Sequence, residues 1–119
     1  MVDKSKLLQS IVDGIQEKKG KNISTISLKG VTASICDYFV ICEGNTPTQV
    51  SALAESVEKI VKENTHESPL RVQGKQQSEW IGMDYGDIIV HIFVPELRSF
   101  YNLELLWEDA ISTSIPTID

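Results

Sequence analysis

The chain has 119 residues, 41% of them hydrophobic and 24% charged, with a formal net charge of −6. That length fits one domain able to bury a single core without staples. The acidity argues against a protein that holds nucleic acid by neutralising phosphates, and suits a basic partner or plain solubility.

Only Cys36 and Cys42 are present. Their spacing makes neither a CxxC motif nor a secreted disulfide framework, so two reduced, mostly buried thiols are expected. Asp3, Lys4 and Lys6 interrupt any apolar leader at once, and no stretch approaches a membrane span. The expectation is a soluble, cytoplasmic protein with no membrane association.

Lys4 to Lys19 reads as an amphipathic helix, with Leu7, Leu8, Ile11, Val12 and Ile15 at helical spacing. Lys18 and Lys19 would sit in its last turn, where cations suit the helix dipole, and Gly20 would stop it. Ile23 to Leu28 is a weaker strand. Asp37 to Glu43 is a clearer one, apolar on both faces and therefore expected inside a sheet.

Gly44 and Asn45 turn the chain, and Thr46-Pro47-Thr48-Gln49 carries a capping-box pattern with Pro at the first helical position. Val50, Leu53, Ala54, Val57, Ile60 and Val61 extend that helix to about Asn64. Leu70 to Val72 reads as a short edge strand. Glu79 to Asp84 and Ile88 to Val94 read as a hairpin around Asp84-Tyr85-Gly86-Asp87, its second strand too apolar to face water. Pro95 ends that strand, and Asn102 caps a final helix from Leu103 to Ala110.

These elements predict a single α/β domain over residues 1–111, with a mixed sheet of four or five strands and flanking helices. A loosely ordered tail is expected over residues 112–119, where Pro116 stands among little that can be buried.

Asp84 and Asp87 are close enough in sequence to suggest a magnesium site. Metal-binding acids on one strand stand two residues apart so that both point the same way. These flank a turn, and Asp is itself a turn former, so a turn or partner contact is the better reading. The Gly44-Asn45-Thr46 turn has the layout of a phosphate cradle, but meets neither nucleotide fingerprint. His91 shares a face with Ile89 and Phe93. It suits a hydrogen-bonded structural or interface role better than that of a base, for which Asp37 or Asp84 would be the orienting acid. No His/Cys set has zinc-ligand spacing.

Trp80 and Tyr85 are the better clue. Aromatics at the edge of a polar surface are typical interface anchors, although Trp80 packing against Trp107 under the last helix is the competing reading.

The stretches Asp37-Tyr38-Phe39-Val40-Ile41-Cys42, Gln49-Val50 through Ala54, Glu79-Trp80, Asp84-Tyr85-Gly86-Asp87 and Val90-His91-Ile92-Phe93 stand in a distinctive order. Arg98, Phe100-Tyr101, Leu103-Glu104, Leu106-Trp107 and Asp109-Ala110 continue it. In this the chain resembles the ribosomal silencing factor family, also called the Iojap or RsfS family. The resemblance implies a nucleotidyltransferase-like fold without the catalytic acids, and no enzymatic activity or cofactor. It implies binding to the large ribosomal subunit through its universal protein fourteen, which blocks joining of the small subunit and represses translation. Related forms in mitochondria and chloroplasts, and homodimers, belong to the same picture.

The partner-binding residues so implied are Gln73, Gly74, Trp80, Met83, Asp84, Tyr85, Asp87, His91 and Arg98. The family commonly has Glu-Gly where this chain has Gln73-Gly74, which would turn a salt bridge into a neutral hydrogen bond. The alternative function is a magnesium-dependent nucleotidyltransferase or nucleotide-binding enzyme built on Asp84, Asp87 and the Gly44 turn.

Overall fold

The computed structural model describes residues 4–28, 36–102 and 111–115. In chain order these form α1 (Lys4–Glu17), β1 (Lys21–Ser27), β2 (Tyr38–Glu43), α2 (Pro47–Thr65) and β3 (Arg71–Gln73). There follow β4 (Trp80–Asp84), β5 (Ile88–Phe93), α3 (Pro95–Tyr101) and β6 (Ile111–Ile115). The strands make one sheet in the order β3-β4-β5-β2-β1-β6. Among the described residues only β2 and β5 pair in parallel, and every other neighbouring pair is antiparallel. The α/β single-domain reading therefore holds, with six strands among the described residues where four or five were expected.

The two apolar runs explain the centre of the sheet. β2 and β5 lie side by side in the interior, where both faces are covered, so neither needs a polar face. On one face α1 and α2 bury Leu7, Ile11, Ile15, Leu53, Val57 and Val61 against Val40, Cys42, Ile81, Met83, Val90 and Ile92. The two helices are tied by Ser56 Oγ, which donates to the Gly14 carbonyl at 2.7 Å. On the other face a smaller cluster gathers Ile26, Leu28, Cys36, Phe39, Ile41 and Phe93. Both cysteines are free and buried, and burial pushes their thiols up to about 11 for Cys36 and about 12 for Cys42.

The start of α2 follows its sequence pattern. Thr46 Oγ1 accepts the Gln49 N–H at 3.1 Å, and Gln49 Oε1 accepts the Asn45 N–H at 2.7 Å. The end of α1 differs from expectation. The helix stops at Glu17, and the left-handed residue is Lys19 (φ 59°), not Gly20. Gly20 is needed for closeness instead, since a Cβ there would stand 2.4 Å from Ile15 Cγ2.

Two elements were not anticipated. α3 begins at Pro95, directly after β5, and buries no side chain fully, so it has no apolar stripe to betray it. Ile111–Ile115, read largely as tail, forms β6 and pairs with β1 from Ile23↔Ile115 to Ser27↔Ile111. An edge strand is held by backbone bonds to one neighbour, which composition does not reveal. The helix predicted over Leu103 to Ala110, with Trp107, lies outside the described residues. Among the described residues, no helix is long and apolar enough to cross a membrane.

Candidate functional site

On the face of the sheet opposite α1 and α2, the described residues leave a cleft over β3, β4 and the first part of β5. Alternation along β4 puts Ile81 and Met83 in the helix-side core, and so turns Trp80, Gly82 and Asp84 to this second face. The register sets Gly82 between Gln73 and His91, and Asp84 between Arg71 and Ile89. These residues, with Gly74, line a cleft of about 490 Å³. A Cβ placed on Gly82 would meet nothing within 4 Å, so the cleft floor is bare there.

One wall is aromatic. The Trp80 indole stacks on Phe93 at 4.9 Å between centroids and lies 4.7 Å from Tyr101, which α3 brings over this face. Its Nε1–H donates to His91 Nδ1 at 3.1 Å. A ring nitrogen that accepts carries no proton, so His91 is the neutral tautomer with its proton on Nε2. That Nε2 is buried and has no hydrogen-bond partner. The His91 ring meets Phe39 edge to face at 4.8 Å. Burial among these rings lowers the imidazole pKa to about 4.

Gly74 fixes the cleft's upper end. It has φ +90°, and a Cβ there would stand 2.1 Å from the Trp80 carbonyl oxygen. Only glycine combines that backbone angle with such an approach. Gln73 beside it is exposed.

Of the residues singled out from sequence, the structure thus gathers Gln73, Gly74, Trp80, Asp84 and His91 at one cleft. Four others fall elsewhere. Met83 is fully buried against the helices, so it offers no surface to a partner. Tyr85 also lies on the helix side, packed on that core, with its hydroxyl buried and unpartnered. Burial, reinforced by Glu58, pushes its phenol above the ordinary range. Trp80 and Tyr85 are therefore not one patch; strand alternation separates them. Asp87 is exposed at the turn, and its carbonyl accepts the Asp37 and Tyr38 N–H groups at 2.9 and 3.2 Å.

Arg98 is a clamp. It pairs with Glu43 at 3.0 Å, reaches Ser24 Oγ at 3.3 Å and bonds the Asn22 carbonyl, with only 11% of its side chain exposed. It fastens α3 to β1 and β2.

The features that suggested an enzyme are occupied locally. Asp84 Oδ1 accepts the Gly86 N–H at 2.8 Å, an Asx turn. The Gly44 N–H donates to the Phe93 carbonyl and the Asn45 N–H to Gln49, so these donors do not form a phosphate cradle. Asp37 is paired with Lys4, and His91 Nδ1 is bonded to the Trp80 indole rather than to an acid. No group of three or more His, Cys, Asp or Glu side chains is placed to hold a metal among the described residues.

Sequence reasoning missed Arg71 and Gly82, and named Ile89 and Tyr101 without assigning them to the site. Period-two alternation from Trp80 and His91 points to Gly82 and Ile89. Tyr101 carried no such signal, because it arrives on the unforeseen α3.

Residues 2–119 match the family described as "Ribosomal silencing factor during starvation". The chain is 38% identical over 113 residues to the ribosomal silencing factor RsfS of Halalkalibacterium halodurans, covering 95% of this chain and 91% of that protein. A crystal structure of a Chromobacterium violaceum protein shares the fold with a TM-score of 0.84 and 27% identity, over 90% of this chain and 88% of that one. A mouse protein named "mitochondrial assembly of ribosomal large subunit protein 1" is 33% identical over 73 residues, 60% of this chain and 32% of that protein. With a match along almost its whole length, the chain belongs to the ribosomal silencing factor family, RsfS.

Proposed function

We propose that this protein is a ribosome-associated silencing factor of the cytoplasm, a regulator rather than an enzyme. It binds the large subunit through universal large-subunit protein fourteen and sterically blocks joining of the small subunit. The observation that carries the reading is the family match over residues 2–119. A relative whose name places it in large-subunit assembly supports the choice of subunit.

The open cleft suits such a task. An aromatic anchor at a partly apolar floor, ringed by Arg71, Gln73 and Asp84, has the arrangement of a recognition hot spot. A net charge of −6 favours encounter with a basic ribosomal protein. Occlusion needs no chemistry, only a footprint that overlaps the other subunit's.

Co-sedimentation with purified subunits tests the reading. The protein is expected to travel with isolated large subunits and not with small ones, and failure to travel with large subunits rejects it.

A further inference from the structure

We propose that His91 is the positioning residue of the recognition face: it acts on the partner through Trp80, whose indole it orients by accepting the Nε1–H. The inference rests on the ribosome-binding reading and goes beyond it, because it gives His91 a role without partner contact.

Three contacts hold the half-buried indole, and they do different things. Phe93, at 27° to the indole, and Tyr101, at 43°, restrain the ring through its π surface. Neither stack specifies which indole rotamer is taken, since a ring flipped about Cβ–Cγ presents a similar π surface. The bond to His91 Nδ1 at 3.1 Å is directional and selects the rotamer that points Nε1–H at it. His91 is itself held, in edge-to-face contact with Phe39 and with its ring 6.1 Å from Phe93 at 16°. Strand register places it beside Gly82, where no side chain fills the space. A rigid acceptor thus fixes the large aromatic side chain of Trp80 at the cleft.

The chemistry of the ring suits this purpose. Accepting on Nδ1 requires the neutral imidazole with its proton on Nε2, and that N–H is buried without a partner. What the imidazole adds at this position is the acceptor that Trp80 uses. An indole fixed before the partner arrives loses less side-chain freedom on binding.

Two variants and one spectroscopic reading test the proposal. His91→Phe keeps a planar ring among Phe39, Phe93 and Trp80 but offers no acceptor, whereas His91→Gln retains an acceptor oxygen. The Trp80 indole resonance, assigned by its loss in Trp80→Phe, should show slow solvent exchange in the unmutated protein. The His91 side-chain nitrogens should report an unprotonated Nδ1 and a protonated Nε2. In His91→Phe the indole proton should exchange faster and affinity for purified large subunits should fall about tenfold, with His91→Gln recovering part of both.

Unchanged affinity in a folded His91→Phe protein overturns the proposal. So does free-indole exchange of Trp80 in the unmutated protein, a result that requires no variant. If the unmutated protein does not bind large subunits, the functional reading fails and the recognition role falls with it. The indole resonance then still decides whether the bond itself exists.

Discussion

Trp80 and His91 sit on adjacent antiparallel strands and share one hydrogen bond, indole Nε1–H to imidazole Nδ1, at 3.1 Å. That bond exists only while His91 is neutral. Burial lowers the His91 pKa from its ordinary 6.5 to about 4. Between those values the unfolded chain binds a proton that the folded one refuses, so stability falls as the pH drops from about 6.5 to 4. The slope from this residue is at most ~1.4 kcal/mol per pH unit. Urea melts at pH 7, 5.5 and 4.5 should show the loss, and His91→Phe should flatten it. A slope unchanged in that variant would mean that other groups carry the acid sensitivity.

The opposite placement of Trp80 and Tyr85 separates binding from stability. Trp80→Ala should weaken large-subunit binding by ~2 kcal/mol, the range of a hot-spot aromatic. Tyr85→Phe should leave binding unchanged and raise stability by about 1 kcal/mol, because it removes a buried hydroxyl that has no partner. Reduced ribosome binding by Tyr85→Phe would place that hydroxyl at the interface after all.

Much of this architecture was legible in the chain, and the failures share a cause. β2 and β5 announced themselves as uninterrupted apolar runs, and α2 by Thr46-Pro47-Thr48-Gln49. Both signals are local. α3 and β6 are held instead by long-range contacts, the Arg98–Glu43 pair for one and backbone bonds to β1 for the other. Pro95 at a first helical position was the one available hint of α3. Within the site, Trp80 and His91 were recognised but their bond was not, because it depends on strand register. Tyr85 was misplaced because its turn position hid the alternation that continues from Met83.

Arg98 should prove structural. Arg98→Ala leaves Glu43, whose side chain is 14% exposed, without its cation and releases α3 from β1 and β2. A loss of about 3 kcal/mol is expected in chemical unfolding. Binding should weaken as well, because α3 carries Tyr101 against Trp80. A fully stable Arg98→Ala protein would remove the clamp from this account.

Two glycines of the cleft should respond in opposite directions. Gly74→Ala forces a Cβ to 2.1 Å from the Trp80 carbonyl oxygen at φ +90°, and should cost at least ~2 kcal/mol of stability. Gly82 lies mid-strand with open space above it, so Gly82→Val should gain about 0.5–1 kcal/mol from a β-branched residue in place of glycine. Thermal melts of the two variants decide. A stable Gly74→Ala or a destabilised Gly82→Val contradicts the description of this face.

Gradient sedimentation measures subunit joining directly. Purified small and large subunits are mixed at a magnesium concentration that supports association, with and without the protein added first to the large subunit. Occlusion of the joining face should give a smaller joined peak, more free subunits, the protein in the large-subunit fractions, and a weaker effect with Trp80→Ala. An undiminished joined peak with the protein bound to the large subunit would contradict it.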